Sequence, residues 1–312
     1  MARYILQRFI QLIIVLIIVS ILIFLVVRIA PIDPIASITK GKAVSEETIA
    51  SLEAEYNLDK SLPEQYINWI TGIFEGDFGK SFQYREGVTE LLLVRYPITL
   101  QLVVMSAILV ILVAIPLGIL GASRRNGAID QTLTVTSLVL VSSPSFFTGI
   151  LLMLLFTLIW PIFPTFGTGH DIVSNIKYLF LPAVSLAAVK IALTMRITRS
   201  NMVEQLTAPY IQTAVAKGLY RGKVVYKHAL KNAFIPILTV ASLEICGMMG
   251  GAVMVEKVFS INGVGSLLVD AVNKADYPVT QSITLILVTI FMVCNLIVDI
   301  LYAVVDPRIR LK

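Results

Sequence analysis

Ionisable side chains lie well inside two long apolar stretches: Lys190 in a run from Tyr178 to Met195, and Glu244 in a run from Phe234 to Val255. A charge at such a position is costly unless it is paired or faces water, so each is a candidate functional group. Both are expected to face a water-filled path or a seam between subunits. The stretch that carries Glu244 also carries Gly247, Gly250 and Gly251, with Ala252 beside them. Small residues let helices approach closely, which leaves two readings: packing against a neighbouring helix, or bare backbone lining a path for solute.

The other reactive residues organise no site. Gly79-Lys80-Ser81 has the ending of a phosphate-binding loop, but that motif needs a glycine where Phe74 stands. His170 and His228 lie far apart without clustered ligands, so no zinc site is expected. Cys246 and Cys294 sit in apolar runs without a CxxC pair and read as small buried hydrophobes. No acid or histidine is spaced as an intramembrane protease needs. The chain is therefore expected to have no catalytic residue, cofactor or metal, and any use of ATP must come from a partner.

The elements that position these residues are membrane spans. Hydrophobic residues make up 57% of the chain and charged residues 14%, against about 45–50% and about 25% in soluble domains. Apolar stretches run over Phe9–Val27, Ile98–Leu120, Leu133–Ile159, Tyr178–Met195, Phe234–Val255 and Ile283–Val305. The first follows Arg3 and Arg8 but exceeds the about 7–15 residues of a signal-peptide core, and no small-residue cleavage site follows, so it reads as a retained helix. Asp299 costs the last span about 3 kcal/mol, which its many Leu, Ile, Val and Phe residues offset at about 0.3–0.6 kcal/mol each.

With the N-terminus inside, the inner segments hold Arg3, Arg8, Arg124, Arg125, the run from Arg196 to Lys231, and Arg308, Arg310 and Lys312. The short outer loops hold only Lys177, Lys257 and Lys274, so both termini are expected in the cytoplasm. The same asymmetry accounts for the net charge of +5 and for the basic run, where stacking aromatics are sparse, without invoking nucleic acid.

Two segments lie outside the bilayer. After the first span, Ser45-Glu46-Glu47 and Ser61-Leu62-Pro63-Glu64 each signal a helix start, with Tyr66, Ile67, Ile70 and Ile73 on one face of the second helix, and Gly76-Asp77-Phe78-Gly79 breaks it. This insert is either a structural plug or a docking surface for a soluble partner. Between the fourth and fifth spans, Thr207 is expected to cap a helix with Pro209 in its first turn, ending at Lys217-Gly218. Such a helix is too short to hold itself in water and needs a groove, in this chain or in another protein.

That loop reads Tyr210-Ile211-Gln212-Thr213-Ala214-Val215-Ala216-Lys217-Gly218, then His228-Ala229-Leu230-Lys231-Asn232-Ala233 and Pro236. It resembles the signature loop of ABC importer permeases of the dipeptide/oligopeptide/nickel branch. Gln212, Thr213 and Ala214 stand where the general pattern has Glu-Ala-Ala, Gly218 matches its glycine, and Pro236 lies beyond its usual Leu-Pro. Similar matches run along nearly the whole chain: Pro31-Ile32-Asp33-Pro34 (with Ile32 for a usual glycine), Tyr56-Asn57-Leu58-Asp59 with Gln65-Tyr66, Gly76-Asp77-Phe78-Gly79 with Ser81, Ser143-Pro144-Ser145-Phe146-Phe147, Gly250-Gly251 through Val255-Glu256, Asp276-Tyr277-Pro278 and Asp306-Pro307-Arg308.

The resemblance implies an all-α membrane protein, a six-helix type I importer bundle with an extracytoplasmic insert between helices 1 and 2. The divisions would be 1–29, the first span; 30–96, the insert; and 97–312, the core, with a coupling loop at 199–232. It implies the first permease of a heterodimeric pair in a bacterial or archaeal cytoplasmic membrane. Its partners would be a homologous permease, two cytoplasmic ATPases that bind ATP and Mg, and an extracytoplasmic solute-binding protein. ATPase coupling would fall to Tyr210 through Gly218 and to His228, with Lys190, Glu244 and the three glycines at the translocation cavity or dimer seam. Peptide is the favoured cargo, and nickel chelate, opine or sugar stays open. An ion-driven secondary transporter would show inverted repeats; none is convincing, although Pro116 and Pro144 interrupt two spans.

Overall fold

A computed structural model describes residues 2–29, 34–39, 41–169 and 171–305. Pro31, Ile32, Asp33, His170, Asp306-Pro307-Arg308, Arg310 and Lys312 lie outside them. Among the described residues the secondary structure is helical, apart from one isolated bridge between Lys80 and Gly87. In order the helices are α1 Ala2–Ile29, α2 Pro34–Thr39, α3 Glu46–Glu55, α4 Leu62–Glu75, α5 Val88–Leu109, α6 Ile115–Ser123, α7 Ala128–Ser142, α8 Ser145–Met153, α9 Ile172–Thr207, α10 Pro209–Ala216, α11 Arg221–Lys223, α12 Leu230–Cys246, α13 Met248–Val258, α14 Val264–Asn273 and α15 Tyr277–Val305. Turns of π-helix occupy Val110–Ala114, Leu154–Ile159 and Val224–Ala229.

Among the described residues five helices are long and apolar enough to cross a membrane, and a sixth span results if the pair Ala128–Ser142 and Ser145–Ile159 counts as one. The expected span Leu133–Ile159 is not straight: the pair is bent by 105°. Ser143 is extended at φ −99°, ψ 125°, the conformation that a following proline imposes, and Pro144 has no N–H to continue the helix. The expected span Phe234–Val255 also differs. Its helical path begins at Arg221, ends at Cys246 and restarts at Met248 beyond Gly247.

The chain divides into two compact units. One comprises residues 101–261 with the chain ends, and α9 runs through it, packed against α6, α7, α8 and α12. Asp171 caps α9 by accepting from the Ser174 N–H at 2.7 Å. The crossing with α6 is close because Gly118 lacks a side chain: a Cβ there would meet the Thr198 Cβ at 2.5 Å and the Met195 carbonyl at 2.8 Å.

The other unit comprises residues 5–100 and 262–293. Both expected insert helices form where their capping residues stand. Ser45 Oγ accepts from the Thr48 N–H at 3.3 Å, and the Glu64 carboxylate accepts from the Ser61 N–H at 3.1 Å. That hydrogen bonding, the Ser61 hydroxyl first, holds the Glu64 carboxyl below its usual range. Gly76, at φ +83°, ends α4. The inward face of α4 is carried by Tyr66 and Trp69, whose rings lie 5.5 and 6.1 Å from that of Phe24 on α1. Ile67, expected on that face, is exposed. Val88, Leu91, Leu92, Val264, Leu267, Val279 and Ile283 form an apolar core between α5, α14 and α15.

Candidate coupling and membrane-depth sites

The residue expected to cap α10 belongs instead to the helix before it. Thr207 is the last residue of α9, and the Thr207 hydroxyl donates to the carbonyls of Glu204 and Val203 at 3.0 and 3.1 Å. The N-cap of α10 is Ala208, extended at φ −68°, ψ 147° in the way a following proline favours. Pro209 then occupies the first turn, where its missing N–H costs nothing. At the other end Gly218 adopts φ +74° and donates its N–H to the Val215 carbonyl at 2.9 Å.

Two residues seat α10 on its own unit. Ile211 and Ala214, three apart and therefore on one face, are buried in a cluster with Ile119, Ala122, Met202, Val224 and Val225. The face shown to solvent carries Tyr210, Gln212, Thr213, Val215, Ala216, Lys217 and Gly218, with Val215 58% exposed. His228 is half-buried on the π turn Val224–Ala229, which packs against α10. The coupling residues expected from sequence thus fall on one short helix and its neighbouring turn.

The surrounding turns are braced by contacts that sequence reading missed. Asp130, near the start of α7, is buried and accepts from the Arg199 guanidinium of α9 through Nε and, at 2.7 Å, Nη2. Its Oδ2 also accepts from the Asn126 N–H at 2.9 Å. Arg221 donates to the Ser123 carbonyl at the end of α6. Asp130 had no local signal, and Arg199 stood out only as one of many basic residues.

Lys190 and Glu244 face each other between α9 and α12, Nζ to Oε2 at 2.7 Å, with side chains 25% and 22% exposed. Each supplies the counter-charge that makes the other tolerable at that depth. A Cβ on Gly251 would lie 3.0 Å from Leu186, which fits the packing reading for that glycine. Gly250 is exposed with open space around it, and a Cβ on Gly247 would meet Lys190 Nζ at 3.8 Å.

In the other unit, motifs noticed separately converge. Asp276 is fully buried and accepts from the Ser81 hydroxyl and from the N–H groups of Phe82 and Gln83, at 3.1 and 3.2 Å. The Ser282 hydroxyl donates to the Phe78 carbonyl at 3.1 Å, and Gly79 approaches Pro278. Gly76-Asp77-Phe78-Gly79 with Ser81 and Asp276-Tyr277-Pro278 are therefore two halves of one clasp. Lys80 takes no phosphate-loop role: its Nζ pairs with Glu55 at 2.5 Å, which raises its pKa.

Helices long and apolar enough to cross a membrane, with a short helix seated beside them and one side of it to solvent, define a multi-pass membrane protein. The chain belongs to the family described as the binding-protein-dependent transport system inner membrane component, which matches residues 114–311. The N-terminal part of such membrane components matches residues 1–103. This is a family of transport subunits, not of enzymes, and its systems depend on a separate binding protein. The oligopeptide transport system permease protein AppB of Bacillus subtilis is 39% identical over 317 residues, covering 99% of this chain and all of that protein. The dipeptide transport system permease protein DppB of Escherichia coli K12 is 36% identical over 338 residues, and the glutathione transport system permease protein GsiC of Salmonella typhimurium LT2 38% over 315 residues; each is covered fully, as is this chain.

Proposed function

We propose that this chain forms half of the translocation path of an ATP-driven peptide importer and receives its drive through α10. The observation that carries the reading is the two-sidedness of that helix: Ile211 and Ala214 hold it to its own chain, while Tyr210, Gln212, Thr213, Val215 and Lys217 face outward. A helix of this length, fixed at both ends and presenting a mixed polar and apolar face, suits a cleft on a second protein. The partners are two cytoplasmic ATPases carrying ATP and Mg, a homologous permease completing the path, and a solute-binding protein on the outer side. Both termini then lie in the cytoplasm, in keeping with the distribution of Lys and Arg.

As ATP draws the ATPases together, α10 moves as a rigid lever, and α9 and α12 rock with it. The movement requires contacts that differ between the two states, not merely tight binding. Peptide cargo is supported by the names of the relatives, which transport oligopeptide, dipeptide and glutathione. The Lys190–Glu244 pair, with Gly247 and Gly250 beside it, serves the cavity or the permease seam.

A photocrosslinking amino acid tests the ATPase contact. Placed at Val215 or Gln212 it is expected to capture the ATPase subunit, and placed at Ala214 it captures only this chain. Equal capture of the ATPase from all three positions, or none from any, would overturn the assignment.

A further inference from the structure

The unit formed by residues 5–100 and 262–293 contains a cavity of about 430 Å³ between α1, α4, the Asp77–Lys80 segment and the start of α15. That volume is in the range of sites for small ligands, about 300–1,000 Å³. Three residues that line it carry a buried side-chain nitrogen that no protein acceptor meets: Arg28 Nη1, Trp69 Nε1 and Gln281 Nε2. All three are N–H donors, and Gln281 is only 3% exposed. Buried donors are ordinarily paired, so three around one cavity call for an acceptor of matching chemistry.

The charge calls for the same chemistry. Arg28 is held rigidly: its Nε donates to Gln65 Oε1 at 3.0 Å, and its guanidinium lies 4.7 Å over the Phe24 ring and 5.4 Å from that of Tyr277. Gln65 is oriented for that bond because its amide donates to the carbonyls of Lys60 and Leu58 at 2.9 and 3.4 Å. Among the described residues no carboxylate pairs with Arg28. Of the acids lining the cavity, Glu55 is taken by Lys80, and Asp77 is exposed and accepts from the Gly79 N–H at 2.8 Å. A fixed guanidinium with an indole N–H and an amide N–H beside it is a donor set for an oxyanion.

We propose that this cavity is an oxyanion site, binding a phosphate or carboxylate group through Arg28, Trp69 and Gln281. Two sources share that chemistry. One is the phosphate of an anionic lipid headgroup, for which Arg28 is well placed in the last turn of the first spanning helix. The other is a small free anion.

The test uses the full chain carrying Trp160→Phe in maltoside micelles. Trp69 is then the only tryptophan, since the chain has two, and excitation to the red of tyrosine absorption reads it alone. Dihexanoyl phosphatidylglycerol, sodium phosphate, sodium acetate and, as a chain without phosphate, dihexanoylglycerol are titrated in turn. A saturable change in Trp69 emission with phosphatidylglycerol alone assigns a lipid headgroup, and a change with phosphate or acetate as well assigns a free oxyanion. Arg28→Gln is expected to weaken binding about 10-fold or more, the range for losing a hydrogen bond to a charged group. Gln281→Leu keeps the volume and removes a donor the fold does not use, so it weakens binding several-fold without unfolding the chain. Silence from every probe, an equal response to dihexanoylglycerol, or unchanged affinity in both variants overturns the proposal.

Discussion

Gly218→Val isolates backbone conformation from bulk, because a Cβ at this position would meet nothing within 4 Å. Within this chain the effect then arises chiefly from φ, which is +74°. An L-residue in the left-handed region costs about 1–2 kcal/mol, and a β-branched residue sits at the upper end or beyond. About 2 kcal/mol is a factor of about 30 in an equilibrium constant. That is enough to shift the turn after α10 into another conformation and displace the lever. The assay is peptide uptake and phosphate release measured on the same proteoliposomes, with the importer fully assembled. Uptake by Gly218→Val is expected to fall at least tenfold while ATP hydrolysis continues. Gly218→Asn, which tolerates the left-handed region, is expected to stay within about twofold of the native chain. Normal uptake by the valine variant refutes the lever reasoning. Equal loss in both variants points instead to a surface contact at this position.

Replacing Asp130 with Asn leaves Arg199 without its carboxylate. For a pair in which Asp130 is 4% and Arg199 31% exposed, a double-mutant cycle with Arg199→Gln in denaturant-containing micelles should show about 2 kcal/mol of coupling. Lys190→Leu or Glu244→Leu alone strands a half-buried charge and should cut uptake about tenfold, while the double replacement should recover assembly on size-exclusion chromatography. Burial-driven loss equal in single and double variants would contradict the pair. The Glu64 carboxyl is depressed below its ordinary 4.5 by the Ser61 hydroxyl. Its contribution to α4 is therefore complete above that value and lost as pH falls through the lower folded pKa. Amide exchange at the start of α4 should accelerate over that window, and Ser61→Ala should remove much of the pH dependence.

The spans were legible because about 20 consecutive apolar residues admit few other fates. The insert helices were legible because capping is local: Ser45, Ser61 and Glu64 act within one turn of chain. Pro144 marked an interruption of the third span, but the size of the bend there escaped because hydropathy reports how apolar a segment is and nothing about its direction. The cap of α10 was placed one residue early, since Thr207 has the right chemistry for a cap but spends its hydroxyl on carbonyls behind it. The face of α4 was misjudged at Ile67 because Trp69 supplies the inward bulk. Both Asp130–Arg199 and Ser81–Asp276 join residues far apart in the chain, and no local pattern signals them. Lys190 and Glu244 were each flagged by their cost at depth, but their pairing became visible only once α9 and α12 lay side by side.

Uptake of labelled dipeptide and tripeptide into proteoliposomes bears most directly on the central claim that this chain moves peptide with force supplied by another protein's nucleotide site. Accumulation is expected when the second permease, both ATPases, the binding protein and ATP are all present, and is expected to vanish when the ATPases alone are omitted. Peptide accumulation by this chain without them, or ATP hydrolysis by the purified chain, would contradict the account.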